Sequence, residues 1–291
     1  MSRTLATIAP AKVNLGLRIL GRRPDGYHEL SSLFAPLDLG DELTLRLCPG
    51  VEPRVALRDG CGSFPLPEGG NLAVRAAEAF LEETGLGLSI EIELRKHIPV
   101  AAGLGGGSSD AGAVLRALAR HAPDAVPAPR LAALALSLGA DVPFFLDPRP
   151  ARVGGIGERI EPCGPLPALA LLLVNPGVPL STAEVFAAFD ALDPQPGPPL
   201  PPDPSQVLGG GDALAALLHN DLECAALRLR PELRRLRRDL VGLGALGVGM
   251  SGSGPTLFGV FGSLEEAAAA RDRAGLPAPI WSRVAATPEA G

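Results

Sequence analysis

The chain has 291 residues, of which 46% are hydrophobic and 20% charged, and it carries a formal net charge of −6. These values are typical of a globular protein with one large domain or two smaller ones, and they exclude a disordered chain. The negative charge and the 4% aromatic content give no support to nucleic-acid binding.

The sequence also bears on the compartment. The longest apolar stretch, 166–174, contains a proline and is too short to span a bilayer, and residues 1–10 lack the apolar core of a signal peptide. The four cysteines form no C-x-x-C pair, which argues against zinc and favours thiols in a reducing cytosol. We therefore expect a cytoplasmic protein.

Strands are predicted in the first part of the chain. Alternating apolar and polar residues over 12–19 indicate an early strand that places Lys12 and Asn14 on one face. The Pro-Asp-Gly run at 24–26 predicts a turn, and alternating leucines over 43–47 predict another strand.

A helix, a strand and a second helix follow. Asn71 can cap a helix that ends near Thr84, where Gly85 provides the stop. Alternation over 88–94 predicts a half-buried strand, and helical spacing begins again near Ser108.

A glycine-rich run, Pro99–Gly112, joins that strand to that helix. Its glycines can adopt positive φ and bring backbone N–H groups together ahead of the positive end of the helix, which suits an anion such as a nucleotide phosphate. No G-x-x-x-x-G-K-[ST] motif occurs, and Ser108 replaces the third glycine of a dinucleotide fingerprint. A flexible linker is the alternative, but linkers do not normally join so clear a strand to so clear a helix.

The following segment is predicted to carry an aspartate in a loop. A helix over 131–138 ends at Gly139 and is followed by the loop 140–143 with Asp141. A hairpin over 151–161 and a buried strand over 169–174 come next.

The last part of the chain is predicted to be mainly helical. Ser181 or Thr182 can cap one helix, and two more are predicted over 212–228 and 231–242. The run 247–252 fits G-x-G-x-x-G, but a strand follows it where a dinucleotide site needs a helix. The order of elements predicts an α+β fold and not a doubly wound parallel sheet.

Lysine is rare in this sequence. Of the 26 basic residues, only Lys12 and Lys96 are lysine. A chain with so strong a preference for arginine can retain lysine where a compact ammonium on a flexible stem is needed.

Three motifs spread over the chain resemble those of the GHMP kinases, the superfamily that includes galactokinase, homoserine kinase and mevalonate kinase. They are Pro10–Leu15, Gly103–Asp110 and Met250–Pro255. The resemblance implies ATP and Mg²⁺ and a two-domain fold. A nucleotide-binding domain like domain 2 of ribosomal protein S5 would span 1–160, and a ferredoxin-like domain would span 161–291.

Three further segments, 25–29, 139–145 and 220–223, resemble one branch of this family. That branch phosphorylates the 2-hydroxyl of a cytidine-diphosphate derivative of methylerythritol. The resemblance implies this small-molecule substrate, no nucleic-acid or membrane partner, and a monomer or weak homodimer. The alternatives are a family member acting on homoserine or mevalonate, a nucleotide sensor without catalysis, and a pure interaction protein, which would leave the glycine loop unexplained.

The resemblance assigns catalytic roles to two residues. Asp141 would accept the proton of the substrate hydroxyl, and Lys12 would keep Asp141 ionised and stabilise charge near the transferred phosphate. Asn14 would orient the substrate or Asp141. The alternatives are a loop or cap aspartate, a surface lysine and a polar residue at a strand end.

The resemblance assigns the ATP side to the glycine loop. Ser108 and Ser109 would bind phosphate oxygens or Mg²⁺, and Asn71 and Lys96 would contact adenosine, although a helix cap explains Asn71 equally well. The loop residues assigned to ATP are Pro99, Val100, Ala101, Ala102, Gly103, Leu104, Gly105, Gly106, Gly107, Ser108 and Ser109.

The resemblance places the cytidine near residues 27 and 28. Tyr27 can stack on a pyrimidine, and His28 can offer both a donor and an acceptor to the base edge. Phe186 would stack from the other side, and Thr182 would contact the substrate. A turn that packs on the core, and a core phenylalanine, are the alternatives.

Overall fold

The computed structural model describes residues 2–50, 54–66, 70–164, 166–200 and 212–288. The chain divides into two compact units, each made of three stretches. The first unit contains 1–11, 39–100 and 105–148, and the second contains 12–38, 101–104 and 149–291.

Two long strands, β1 (Arg3–Arg22) and β2 (His28–Pro49), contribute to both units. The early strand predicted over 12–19 is part of β1, and the turn predicted at 24–26 separates β1 from β2. The compact units therefore do not divide at residue 160, and the predicted domain boundary stays a prediction.

The first unit packs helices on a small sheet. Within it, β2 pairs antiparallel with β4, and β4 pairs parallel with β3. Leucines of β2 and the apolar residues of β4 pack with the alanine-rich faces of α1 and α2. Its further elements are β3 (Val55–Asp59), α1 (Leu72–Thr84), β4 (Leu88–Arg95), α2 (Gly106–His121), α3 (Ala128–Leu138) and a 3₁₀ helix (Val142–Leu146).

Local signals set the ends of α1. The Oδ1 of Asn71 accepts a hydrogen bond from the N–H of Ala73 at 2.9 Å, and Gly85 ends the helix with a left-handed φ of 65°. Both predicted ends are confirmed. The second helix, α2, begins two residues before the predicted start at Ser108, because Gly105 takes a left-handed φ of 72° and Gly106 already lies in the first turn.

Helix α2 supports the segment that follows α3. A Cβ on Gly112 would lie 2.4 Å from the Cβ of Phe145, so only glycine permits this approach. Arg116 donates to the backbone oxygen of Phe145 at 2.7 Å. The predicted loop 140–143 is shorter than expected, since Val142–Leu146 form the 3₁₀ helix directly after Asp141.

The second unit contains a hairpin that pairs with β2 and an antiparallel sheet in the order β10-β7-β9-β8. All six residues of β7 are buried. Its elements are β5 (Ala151–Gly155), β6 (Arg159–Pro162), β7 (Ala170–Asn175), α4 (Thr182–Asp190), α5 (Asp212–Leu217), α6 (Glu223–Leu229), α7 (Glu232–Gly242), β8 (Gly247–Met250), β9 (Leu257–Phe261), α8 (Leu264–Ala274) and β10 (Trp281–Ala286).

The prediction of a single helix over 212–228 is wrong, because the structure has two helices there, α5 and α6, with a break between them. There Leu17 of β1 donates to the backbone oxygen of His219 and accepts from the N–H of Asp221, each at 3.0 Å. The buried Asn220 side chain donates to the backbone oxygens of residues 250 and 252 at 2.8 and 2.7 Å. These contacts outweigh the helical propensity of the segment.

The predicted α+β class is confirmed, because both units combine helices with sheets whose described strand pairs are mainly antiparallel. The helices of the described ranges include none with the length and apolar character of a bilayer span.

Candidate active site

In the first unit, the start of α2 forms an anion-binding geometry. The left-handed Gly105 precedes the helix, and the first-turn N–H groups from Gly106 to Ser108 have no partner within the helix. Gly107 is exposed and Ser108 is half-buried. Backbone donors at the positive end of a helix stabilise a phosphate.

The two predicted phosphate-binding serines differ. Ser109 is fully buried, and its hydroxyl donates to the backbone oxygen of Pro10 at 2.7 Å. Ser108 is the accessible one of the pair. The assignment of Ser109 to phosphate stays a prediction, and its hydroxyl already has a structural partner.

The loop residues 99–104 have different surroundings. Pro99, Ala102 and Leu104 are buried, whereas Val100 and Ala101 are exposed, and Ala101 adopts a positive φ of 52°. These side chains offer no polar group, so they can serve ATP only through their backbone or by apolar contact.

In the second unit, Gly103 lies against the glycine turn 251–255. A Cβ on Gly103 would lie 2.3 Å from the backbone oxygen of Ser251, and the Ser251 hydroxyl donates to the backbone oxygen of Gly103 at 2.8 Å. The close approach of two backbones explains why a residue without a side chain occupies this position.

Lys96 lies in a buried cluster of charges in the first unit. Its ammonium donates to Asp41 and, at 2.7 Å, to Asp110 of α2. The second oxygen of Asp41 accepts from the N–H groups of His97 and Ile98 at 2.5 and 2.9 Å. The predicted adenosine contact of Lys96 stays a prediction, and the ammonium is already shared by two carboxylates. The same holds for Asn71, whose side chain caps α1.

The cluster contains two aspartates and one lysine, so one cation is shared by two acidic side chains. Burial first, and then the charge of Asp41, raises the pKa of Asp110 to about 8, although Lys96 acts in the opposite direction. The Oδ1 of Asp110 is buried and has no hydrogen-bond partner within the described residues. Burial alone would lower the pKa of Lys96, but attraction to Asp110 and Asp41 raises it above its usual value.

Lys12 and Asn14 form a polar cluster in the second unit. The ammonium of Lys12, which is 3% exposed, donates to the Oδ1 of Asn14 at 2.6 Å and lies 4.6 Å from the centre of the Phe34 ring. The Asn14 amide donates to the Ser32 hydroxyl at 2.9 Å. The predicted common face of Lys12 and Asn14 is confirmed, and the surface-lysine alternative is wrong.

Asp141 is half-buried and is the residue before the 3₁₀ helix of the first unit. Its carboxylate does not cap that helix, so the cap alternative is not supported. The packing of Gly112 on Phe145 fixes the element that carries it.

The predicted cytidine residues lie in the second unit. Tyr27 is 60% exposed, and its backbone N–H donates to the Oδ1 of Asp25 at 3.1 Å within the turn. His28 is largely buried, and its Nε2 lies 2.7 Å from the Oδ1 of Asp190. His28 can therefore offer only its other nitrogen to a base, and not both nitrogens as predicted.

Helix α4 brings the two other predicted substrate residues into the second unit. Phe186 stacks on the His28 ring with centroids 4.9 Å apart and an angle of 24°. The hydroxyl of the exposed Thr182 lies 2.8 Å from the hydroxyl of Ser253. Stacking of Phe186 on a base and contact of Thr182 with substrate stay predictions.

Sequence reasoning missed several residues that position the candidate site. For Asp41 a signal exists, because the alternation over 39–47 places it on the buried face between leucines. For Ser32 and Asp190 we find no local signal, since their partners lie 18 and 162 residues away along the chain. Groups of acidic, histidine or cysteine side chains able to hold a metal ion are absent from the described ranges.

Comparisons with known proteins identify the relatives of this chain. The family model for the N-terminal domain of GHMP kinases matches residues 71–147, and the model for their C-terminal domain matches 207–277. A 4-diphosphocytidyl-2-C-methyl-D-erythritol kinase of Syntrophotalea carbinolica is 41% identical over 91% of this chain and 92% of its own length. One from Anaeromyxobacter dehalogenans is 46% identical over 88% of this chain and 80% of its own length.

Solved structures share the fold. A crystal structure of 4-(cytidine 5'-diphospho)-2C-methyl-D-erythritol kinase matches with a TM-score of 0.80 and 40% identity, and covers 99% of this chain and 100% of its own. Mevalonate kinase of L. major matches with a TM-score of 0.72 and 19% identity over 100% of this chain and 98% of its own. The second likeness shows the fold alone. The predicted two-domain GHMP kinase fold is confirmed.

The raised pKa of Asp110 predicts a pH-dependent stability. An aspartate in the unfolded chain has a pKa of about 4, whereas the pKa of Asp110 in the folded chain is about 8. Between these two pH values the folded state holds a proton that the unfolded state has released. The free energy of unfolding should therefore fall as pH rises through this window, by up to about 1.4 kcal/mol per pH unit from this group, and level off above it. Urea unfolding from pH 5 to 9 measures the slope.

Asp110→Asn should lose this contribution, whereas Asp124→Asn, which changes an exposed aspartate of the same unit, should keep the slope of the unsubstituted protein. Equal slopes in all three proteins would show that Asp110 does not hold the proton.

Proposed function

Because the chain belongs to the GHMP kinase family, among its 4-diphosphocytidyl-2-C-methyl-D-erythritol kinases, we propose that it phosphorylates 4-diphosphocytidyl-2-C-methyl-D-erythritol. The γ-phosphate of ATP passes to the 2-hydroxyl, which gives the 2-phosphate and ADP, a step of isoprenoid precursor synthesis. The observation that carries the proposal is 41–46% identity to curated relatives of that name over most of the chain. A mevalonate kinase and a homoserine kinase of the same fold share 19% and 22% identity with this chain.

The start of α2 would hold the phosphates of ATP. The N–H groups of its first turn and the Ser108 hydroxyl would donate to phosphate oxygens of the nucleotide, and Mg²⁺ bound with the nucleotide would supply charge neutralisation there. In the second unit, the closely packed backbone at Gly103 and Ser251 keeps the loop in one conformation. Fixed donors lose little entropy when the nucleotide binds.

Asp141 would act as the general base. Its carboxylate accepts the proton of the 2-hydroxyl as that oxygen forms a bond to phosphorus, while the bond to the β-phosphate oxygen breaks and ADP leaves. The ammonium of Lys12 would stabilise the negative charge of the transferred group. Its bond to Asn14 at 2.6 Å keeps the ammonium in one place.

Tyr27 and His28 would select the cytidine group. The exposed Tyr27 offers a ring face on which a pyrimidine can stack. The nitrogen of His28 that does not face Asp190 offers one hydrogen bond. We also propose that the protein is cytoplasmic, in keeping with four cysteines that no disulfide joins. We further propose that it is a monomer or a weak homodimer.

The substrate assignment is tested by ADP release from Mg-ATP with three acceptors offered to the full chain. We expect ADP release with 4-diphosphocytidyl-2-C-methyl-D-erythritol and only background release with homoserine or mevalonate. Homoserine and mevalonate carry no cytosine ring that Tyr27 and His28 could bind. Turnover with homoserine or mevalonate alone would overturn the proposal, and ATP binding without turnover of any acceptor would favour a sensor.

Asp141→Asn should lower kcat by about 10²–10⁴-fold, because the amide cannot accept the hydroxyl proton. KM for both substrates should change by less than kcat does. Steady-state kinetics measures both values, and Asp124→Asn is the matched control because that exposed aspartate should leave kcat unchanged. Near-normal turnover of Asp141→Asn would exclude Asp141 as the base.

Ser108→Ala and Ser109→Ala separate phosphate binding from structural support. Loss of a hydrogen bond to a charged phosphate should raise KM for ATP by about 10–100-fold in Ser108→Ala. Ser109→Ala should instead lower the free energy of unfolding by about 0.5–1.5 kcal/mol, because the hydrogen bond to the backbone oxygen of Pro10 is lost. An equal rise in KM in both variants would contradict this division.

A further inference from the structure

The last turn of α4 fixes the His28 ring on three sides. Phe186 stacks on one face, and Phe189 meets the ring edge-on at 6.1 Å and 79°. Asp190 binds Nε2 at 2.7 Å. The His28 side chain is 10% exposed and that of Asp190 is 35% exposed, so the ring has little freedom to turn. Asp190 also faces the guanidinium of Arg22 at 3.7 Å.

The partner of Nε2 decides which nitrogen of His28 carries the proton. An ionised carboxylate can only accept hydrogen bonds, so the Nε2 that faces Asp190 must donate. In the neutral imidazole one nitrogen is a donor and the other an acceptor. The Nδ1 of His28 is then the acceptor, and it has no hydrogen-bond partner within the described residues.

We propose that Asp190 is a positioning residue for base specificity, which acts by holding His28 in the tautomer with the proton on Nε2. The acceptor Nδ1 then receives a hydrogen bond from the 4-amino group of cytosine. Uracil carries an oxygen acceptor at that place, which would meet Nδ1 with two lone pairs opposed. The inference rests on the proposed function, since it concerns how the same enzyme recognises its cytidine group.

The tautomer can be observed without turnover. Ring ¹⁵N shifts of the full chain at pH 8.5, where imidazole ordinarily carries one proton, distinguish the two neutral forms, and His28→Gln identifies the signal. We expect the proton on Nε2 in the unsubstituted protein and a mixture of both tautomers in Asp190→Ala. A proton on Nδ1 in the unsubstituted protein would overturn the proposal, whatever the enzyme's activity.

The specificity is measured as the ratio of kcat/KM for the cytidine substrate to that for its uridine analogue. Loss of one well-placed hydrogen bond should lower this ratio about tenfold in Asp190→Ala, through a higher KM for the cytidine substrate and with kcat within about a factor of two of normal. Asp190→Glu, which keeps the carboxylate, should recover part of the ratio. Asp272→Asn, which changes an exposed aspartate of α8 in the same unit, should leave the ratio unchanged.

An unchanged ratio in Asp190→Ala would overturn the role of Asp190 while the kinase function stands. An unsubstituted protein that is inactive with the cytidine substrate would instead overturn the proposed function, and the ¹⁵N result would still report on the tautomer.

Discussion

A lysine ammonium shared by two buried aspartates holds together the part of the first unit on which the proposed phosphate binding depends. Lys96 connects Asp41 of β2 with Asp110 of α2, and Asp41 in turn binds the backbone that follows Lys96. Removal of Lys96 or Asp41 costs about 3–5 kcal/mol, because an uncompensated buried charge then remains. A Cβ on Gly106 would lie 3.3 Å from the ammonium, so the glycine that opens the helix to an anion also leaves room for this lysine.

A second polar network organises Lys12. The ammonium binds Asn14, the Asn14 amide binds the Ser32 hydroxyl, and that hydroxyl donates to the backbone oxygen of Gly16 at 2.6 Å. Ser251 adds a contact to the backbone of Asn14 at 3.2 Å. Buried networks in which every member is bonded orient their groups more strongly than isolated pairs do, and phosphoryl transfer depends chiefly on such orientation and on charge stabilisation.

Sequence reasoning succeeded where the signals are local. The ends of α1 follow from Asn71 and Gly85, and the glycine loop ahead of α2 follows from glycines placed between a strand and a helix. It failed where distant segments decide the outcome. The helix over 212–228 breaks because Asn220 satisfies backbone oxygens near residue 250. The alternation over 39–47 places Asp41 inside, but no pattern in that strand indicates that Lys96 will meet it.

The burial of both lysines has a consequence for the chemistry of the protein surface. Lys12 and Lys96 are each 3% exposed, so neither lysine offers its ammonium at the surface. Acyl donors, aldehydes and amine-directed cross-linkers react with the ε-amino group of lysine and not with arginine. The side chains of the folded protein therefore present no accessible primary amine to such reagents, and acylation at lysine would report that the fold around the site has opened.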